Sequence, residues 1–227
     1  MRKHSVLLAV ALLAFAMPAS ADTMQKNLYL SGSLNAIAGP ESVKDFVGAG
    51  RGLKGGLGFQ VSPTIEMVVS VQYMTFPLKK DGFLSLYEKT RQVRFRVPYS
   101  EISLIGGDIQ VYGVGVDAKY TFLSKTANPS VRPYLVGGLG LMHVENPDDI
   151  TIRTDDYDDL TVPGDDLGES NTDLLANVGV GVDLPLSGNT TAFLDCRYSI
   201  VFDKDDEDDG NTKLLNIGGG VKIGFGK

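Results

Sequence analysis

The sequence lacks several features on which other classes of protein depend. It has one cysteine, no tryptophan and two histidines in 227 residues, and its formal net charge is −7. The single cysteine, Cys196, excludes an intrachain disulfide framework. The excess of acidic side chains argues against a nucleic-acid partner, because phosphate binding requires a basic surface. Beyond residue 21, no apolar run reaches the roughly 20 residues that a transmembrane helix needs.

The first 21 residues have the composition of a secretory signal peptide. A basic head, MRKH, is followed by an apolar run at residues 6–17 and by small residues up to Ala21. This run is too short to cross a bilayer about 30 Å thick, so we expect cleavage between Ala21 and Asp22. Residues 22–227 are then predicted to form one domain. Without Arg2 and Lys3, this domain has 19 basic and 28 acidic side chains and a formal charge of −9.

The predicted domain contains many segments in which apolar residues alternate with polar residues or glycine. The clearest is LLNIGGGVKIGF at residues 214–225. Its glycines argue against a helix, because each costs about 1 kcal/mol relative to alanine, and a period of two indicates a β-strand. The other segments that we interpret as strands are 28–34, 53–61, 64–76, 109–122, 132–145, 174–184 and 192–202. Segment 132–145 is apolar on both faces, so its orientation stays open.

The connections between these eight segments alternate in length. The short ones lie at residues 62–63, 123–131 and 185–189, and the others, most of them longer, at 38–50, 77–107, 146–171 and 203–211. An even number of strands with short turns at one end and long loops at the other is typical of bacterial outer-membrane barrels. The sequence therefore predicts an all-β fold, an eight-stranded antiparallel up-and-down transmembrane β-barrel with long extracellular loops and short periplasmic turns.

The polar alternates are predicted to face the inside of this barrel. Eight strands leave an interior only just wide enough for side chains, which suits glycines and mutually paired charges. The charged residues that we assign to the lumen are Glu66, Asp117, Lys119, Asp183, Asp195, Arg197 and Lys222. An unpaired charge in a confined interior is costly, so we expect a salt-bridge network that fills the lumen. A narrow water or ion path through it is the alternative.

The leucine, valine and isoleucine alternates are predicted to face lipid, with aromatic belts at both interfaces. We place Phe59, Tyr120, Phe122, Tyr134 and Phe225 at the short-turn ends of the strands. Tyr73, Phe76, Tyr112, Tyr198 and Phe202 are expected nearer the long loops. The absence of tryptophan is a departure from the usual composition of such belts.

The chain combines a signal sequence with the strands RPYLVGGLGLMHV and TTAFLDCRYSIVF and the terminal KLLNIGGGVKIGF. In these features it resembles the small outer-membrane β-barrel proteins of Gram-negative bacteria, the OmpA/OmpX-like group. The resemblance covers residues 28–225 and implies a monomer in the outer membrane, in contact with lipid and lipopolysaccharide. Family members commonly end on an aromatic residue that the outer-membrane assembly machinery recognises. Phe225 matches in kind, two residues before the end of the sequence. No periplasmic peptidoglycan-binding domain is expected.

Two of the long connections differ sharply in charge from a third. Residues 146–171 and 203–211 are strongly acidic, and Asp205, Glu207 and Asp209 imitate the start of a calcium loop without its flanking helices. We interpret them as solvated, repulsive loops, with a calcium site or diffuse binding of divalent cations as alternatives. Residues 79–96 are basic, and we expect Arg94 and Arg96 to contact the acidic loops or lipid phosphates.

These observations predict a structural and surface-interaction role through the extracellular loops, without catalysis, cofactor or bound metal. The first alternative is a barrel enzyme that modifies lipids. Such an enzyme needs a nucleophile and a base, and beyond the predicted signal peptide the one histidine is His143. The second alternative is a small ion-conducting pore.

Overall fold

A computed structural model of the chain describes residues 25–39, 41–91, 95, 97–122, 130–145, 149–154, 159–164, 170–202 and 211–225. The predicted signal peptide with its cleavage site, Ala21 and Asp22, lies outside these ranges. So do Arg94, Arg96 and the calcium-like residues Asp205, Glu207 and Asp209. The predictions that concern them stay predictions.

The elements follow one another along the chain as β1 (Lys26–Gly39), α1 (Glu41–Phe46), β2 (Gly50–Gln60), β3 (Ile65–Phe76), α2 (Lys80–Arg91), β4 (Ile102–Ile105), β5 (Ile109–Thr121), β6 (Arg132–Glu145), β7 (Ile150–Thr154), β8 (Leu160–Val162), β9 (Asn171–Ser187), β10 (Thr190–Phe202) and β11 (Thr212–Phe225). A 3₁₀ turn, Tyr99–Glu101, precedes β4. No helix in the described ranges is both long enough and apolar enough to cross a membrane.

Eight of these strands close into a barrel in the order β1-β11-β10-β9-β6-β5-β3-β2, and every neighbouring pair is antiparallel. This confirms the predicted eight-stranded up-and-down barrel. The three short strands β4, β7 and β8 form a second sheet. That sheet and the two helices lie in the connections that the sequence presented as long loops.

The register of the strands sets the size of the barrel interior. Following paired residues once around the barrel from Asn27 leads back to β1 at Ile37, ten residues further along. A stagger of this kind tilts the strands steeply, and strand number and stagger together fix the diameter. The result is a lumen that side chains can fill.

Alternation places apolar side chains outside and polar ones inside. Leu30, Leu139 and Val178 are 60%, 61% and 61% exposed, whereas Asp117 and Lys119 are 2% and 3% exposed. In water this arrangement would leave a large apolar exterior exposed to solvent. In a bilayer the exterior contacts hydrocarbon, and the charges are enclosed with their partners.

The open orientation of β6 is resolved by the same criterion. Tyr134, Val136 and Met142 face the lumen, and Leu135 and Leu139 face outward. Both faces are apolar because this strand contributes packing rather than charge to the interior.

Two of the expected belt residues lie elsewhere. Tyr134 and Phe76 are 2% and 3% exposed and point into the barrel. They stand at alternate positions of their strands whose side chains all face the lumen. Tyr73 and Tyr112 do form part of an outer belt, with ring centroids 5.2 Å apart. Tyr120 and Phe122 form an edge-to-face pair at the opposite end.

Candidate functional site: the barrel lumen and the outer cap

The structure gathers the seven predicted lumen charges inside the barrel. Six of them are at most 7% exposed, and the Arg197 side chain is 16% exposed. They fall into two groups, which Tyr134 links because it contacts Lys119 with its ring and donates a hydrogen bond to Asp195 at 3.4 Å. The first group is centred on Asp183 of β9 and the second on Asp117 of β5.

Asp183 accepts two ammonium groups. Lys119 Nζ of β5 lies 2.7 Å from one carboxylate oxygen, and Lys222 Nζ of β11 lies 2.8 Å from the other. Lys222 is also 3.5 Å from Glu66 of β3, which accepts a hydrogen bond from the side-chain amide of Asn27 on β1. Five strands are thus joined across the lumen through buried, paired charges, as a confined interior requires.

Aromatic rings complete this group. Lys119 Nζ lies 3.7 Å from the ring centroid of Tyr134 on β6, within the range of a cation–π interaction. Tyr29 and Phe193 pack edge to face with centroids 5.5 Å apart. The Tyr29 ring centroid lies 5.7 Å from Lys119 Nζ and 5.6 Å from Lys222 Nζ, and the rings pack around the two ammonium groups.

The second group neutralises Asp117 with two cations. Asp117 accepts hydrogen bonds from Lys54 Nζ at 2.9 Å, Arg197 at 2.6 Å and the Asn177 amide at 3.0 Å. Arg197 also donates to Asp195 at 2.8 and 2.9 Å. The sequence reading missed Lys54, because β2 is rich in glycine and its alternation is weak. Lys54 alternates with the outward-facing Leu53 and Leu57, and this alternation could have predicted that its side chain faces the lumen.

The lumen contains a cavity among these charges, and an apolar layer lies outside it. The cavity has a volume of about 60 Å³ and is lined by Asp117, Lys119 and Arg197 of the charge network and by Met74 and Leu214 toward the outside. The layer, which we call the apolar seal, consists of Val47, Met74, Phe76, Val111, Met142, Leu175, Val201 and Leu214. All but Val47 lie at the outer ends of barrel strands. Val47, which bridges to Leu78, joins the seal from the segment after α1.

Outside the barrel, α2 and the sheet β4-β7-β8 form a compact unit that we call the cap. Its core consists of Phe83, Leu84, Ile102, Ile150, Ile152 and Val162, all at most 3% exposed. Polar contacts support it. Tyr99 donates a hydrogen bond to Glu88 at 2.7 Å, and Lys80 donates to the carbonyl of Ile102 at 3.1 Å. The predicted repulsive loop 146–171 therefore supplies two paired strands to a packed core.

Two other predicted residues face outward. His143 Nδ1 lies 2.8 Å from Thr172 Oγ1 on the neighbouring strand β9, near the outer rim. Phe225 is 44% exposed and pairs with Lys26 where β11 meets β1. Within the described ranges, no group of three or more His, Cys, Asp or Glu side chains is arranged to hold a metal ion.

A closed barrel with an apolar exterior and a filled, charge-paired interior defines an integral outer-membrane β-barrel protein. The chain belongs to the outer membrane protein beta-barrel domain family, whose model matches residues 7–223. This family places the protein in the Gram-negative outer membrane.

Solved structures with a similar fold share little sequence with this chain. Neisserial surface protein A is 15% identical, with 89% of this chain and 97% of that chain covered and a TM-score of 0.48. A major outer membrane protein from Thermus thermophilus is 14% identical, with coverages of 88% and 99% and a TM-score of 0.49. The outer membrane enzyme PagL is 12% identical, with coverages of 86% and 98% and a TM-score of 0.43. A comparison with curated protein sequences gives no match.

Proposed function

We propose that this protein is a non-catalytic, non-conducting barrel that holds a folded cap at the cell surface and acts through the contacts of that cap. The observation that carries the proposal is the hydrophobic core of the cap. Leu84 and Ile150 are 0% exposed although both lie outside the barrel. Loops that only connect strands need no such core, and ordered surface loops on a rigid scaffold are where binding residues concentrate.

The contents of the lumen support a non-conducting barrel. An ion would have to cross the apolar seal, where Met142, Leu175 and Leu214 are at most 6% exposed, and such apolar constrictions exclude water and ions. It would also have to displace the paired charges around Asp183. We expect no stable conductance steps from the folded protein in planar bilayers. Steady single-channel currents that change on Asp195→Asn would favour the pore alternative.

The surface role is tested by complementation of a deletion strain. The cap variant Phe83→Ser places a hydroxyl in the cap core, and Leu86→Ser, on the exposed side of the same helix, is its control. We expect Leu86→Ser to restore the adhesion, aggregation and envelope-permeability behaviour of the wild type. Phe83→Ser should fail to restore it at equal amounts of folded barrel. Full restoration by Phe83→Ser would overturn the surface role.

One observation favours a second candidate, a lipid-modifying enzyme. The hydrogen bond of 2.8 Å between His143 Nδ1 and Thr172 Oγ1 has the geometry of a base beside a hydroxyl nucleophile, and it lies near the outer rim. The sequence reading missed Thr172, which is 29 residues away along the chain. Mass spectra of the glycolipid acyl chains from cells that express wild type, His143→Ala or Thr172→Val decide between the two. Acyl changes that disappear in both variants would establish the enzyme, whereas identical spectra support the non-catalytic barrel.

We further propose that the protein is exported by cleavage between Ala21 and Asp22, is recognised by the assembly machinery through Phe225 and functions as a monomer. N-terminal sequencing of the outer-membrane form should begin at Asp22.

Phe225→Ala should slow membrane assembly, while Phe122→Ala, which changes an aromatic residue at the same end of another strand, should not. Light scattering in detergent gives the number of subunits.

A further inference from the structure

Two cations face outward from the barrel on either side of β1. Arg51 of β2 and Lys213 of β11 are exposed, while their neighbours Gly50 and Leu214 are buried on the lumen side. Within the described part of the chain, no acidic side chain forms an ion pair with Arg51 or Lys213.

The register places both cations at the level of the outer aromatic belt. Arg51 pairs with Thr75, two residues beyond Tyr73, which in turn pairs with Tyr112. Lys213 pairs with Ile200, which lies between Tyr198 and Phe202. Aromatic belts mark the depth of the lipid head groups, so the two charges lie at head-group depth rather than in water above the membrane.

A local irregularity in β1 shapes this surface. The register with β11 shifts between Ile37 and Gly39, and Gly39 then pairs with Lys213. A Cβ atom at Gly39 would lie 4.0 Å from Lys213 Cδ, so the lysine stem lies over a position that has no side chain. The outward face of β1 is therefore open between the two cations.

The segment above β1 and β2 adds two more exposed lysines. Lys79 Nζ donates a hydrogen bond to the backbone carbonyl of Lys44 at 2.7 Å, and the Lys79 amide donates to Phe46 at 2.7 Å. This holds Lys44 and Lys79 together at the end of α1. Asp45 is the exposed acid beside them. Four basic side chains are thus grouped at one sector of the rim.

Other sectors of the rim differ in character. At β3 and β5 the outward groups are Tyr73, Gln110 and Tyr112, linked by hydrogen bonds of 3.4 and 2.9 Å to Gln110. At β6 and β9 they are His143 and Thr172, together with the acid Glu145. Among the described residues of these sectors, the outward positive charge at this depth lies in the sector β11-β1-β2.

We propose that Arg51, Lys213, Lys44 and Lys79 form a binding site for the phosphate groups of a phosphorylated glycolipid in the outer leaflet. Arginine binds phosphate in a bidentate manner and lysine binds it as a point charge. The open face of β1 receives the acyl chains next to Leu34, which is 71% exposed. Arg51 and Lys213 lie on the lipid side of barrel strands, outside the cap, whereas Lys79 directly precedes α2.

The test measures retention of lipid A by the detergent-folded protein in native mass spectrometry. The variant Arg51→Gln/Lys213→Gln removes two charges from the site. Its control, Lys26→Gln/Lys89→Gln, removes two charges from the other end of β1 and from the last turn of α2. We expect the site variant to retain bisphosphorylated lipid A about tenfold less than wild type, and the control to retain it equally well.

Two further arms identify the recognised chemistry. Wild type should retain dephosphorylated lipid A as poorly as the site variant retains the phosphorylated form, and millimolar inorganic phosphate should not displace the lipid. Displacement by inorganic phosphate would reassign the site to free phosphate and overturn a lipid site. Equal retention by wild type, site variant and control would overturn it as well. Phe83→Ser keeps Arg51 and Lys213, which lie on barrel strands, and should retain more lipid A than the site variant, so failure of the cap proposal leaves this result distinguishable.

Discussion

Lys119 and Lys222 bind the two oxygens of one carboxylate, that of Asp183, at 2.7 and 2.8 Å. The lysines come from strands β5 and β11, which are separated in the barrel by three strands on one side and three on the other. The shared carboxylate therefore cross-links opposite walls of the lumen. Without it, Glu66, 3.5 Å from Lys222, would be the one carboxylate of the described residues within ion-pair distance of either ammonium group.

We predict that Asp183→Asn destabilises the barrel by about 3–5 kcal/mol, the cost of leaving a buried charge without its partner. The measurement is the urea dependence of unfolding in lipid vesicles. Asp159→Asn is the matched control, since it breaks the exposed ion pair with Arg153, 2.7 Å long, and should leave the midpoint unchanged. An unchanged midpoint for Asp183→Asn would show that the network is not structural.

The cap should unfold separately from the barrel when its core is damaged. Phe83 is 2% exposed, and Phe83→Ala should cost about 3–5 kcal/mol of cap stability. Limited proteolysis of the folded protein is expected to cleave the variant within the cap while the barrel stays protected. Leu86, on the same helix and 43% exposed, is the control, and Leu86→Ala should be cleaved no faster than wild type. Equal cleavage of all three proteins would contradict a packed cap.

Alkaline pH should loosen the cap through Tyr99. The hydrogen bond to Glu88 raises the pKa of the Tyr99 phenol above its ordinary value of 10.0. A raised pKa in the folded state means that this contribution is complete below pH about 10 and is lost as the pH rises through the folded pKa. The absorbance titration of wild type minus Tyr99→Phe at the phenolate band should therefore show a midpoint above 10.0. A midpoint at or below that ordinary value would refute the role of this hydrogen bond.

Closure of the barrel between β1 and β11 requires a glycine at position 220. A Cβ atom there would overlap the carbonyl oxygen of Leu30 and lie 2.6 Å from Ser31 Cβ. We predict that Gly220→Ala lowers the yield of the heat-modifiable folded form on gels. Gly32 lies at the same seam but a Cβ atom there would meet only Gly52 O at 3.8 Å, so Gly32→Ala should fold normally. The explanation fails if the two variants fold equally well.

Most of the barrel could be predicted because its signals are local. In β11, Leu215, Ile217 and Ile223 alternate with Asn216 and Lys222, and the structure exposes the first set and encloses the second. The membrane imposes this parity on every strand. Where the alternation of apolar and polar residues was used, the predicted side of the barrel was correct. Where aromatic character was followed instead, as for Tyr134 and Phe76, the expected facing was wrong.

The cap was missed because its elements are short and lie among charged residues. The segment ITIRT of β7 has a period of two, but its five residues are flanked by acids that indicated a solvated loop. β7 is stable because β4 and β8 pair with it and α2 covers Ile150 and Ile152. Contacts of this kind, between residues far apart in the chain, leave no periodic signal.

The alternation of apolar and polar residues determined by itself that this chain is a membrane barrel of eight strands with enclosed charges. Successive side chains of a strand point to opposite faces, so in a bilayer the apolar set must face lipid and the polar set must face the lumen. Which charges pair was decided only in the tertiary structure. Asp117 and Arg197 are 80 residues apart, and Lys54 joins them through strand tilt and stagger. The apolar seal and the cap were likewise decided in the tertiary structure, because closure of the barrel brings together the outer strand ends that form the seal and the connections that form the cap.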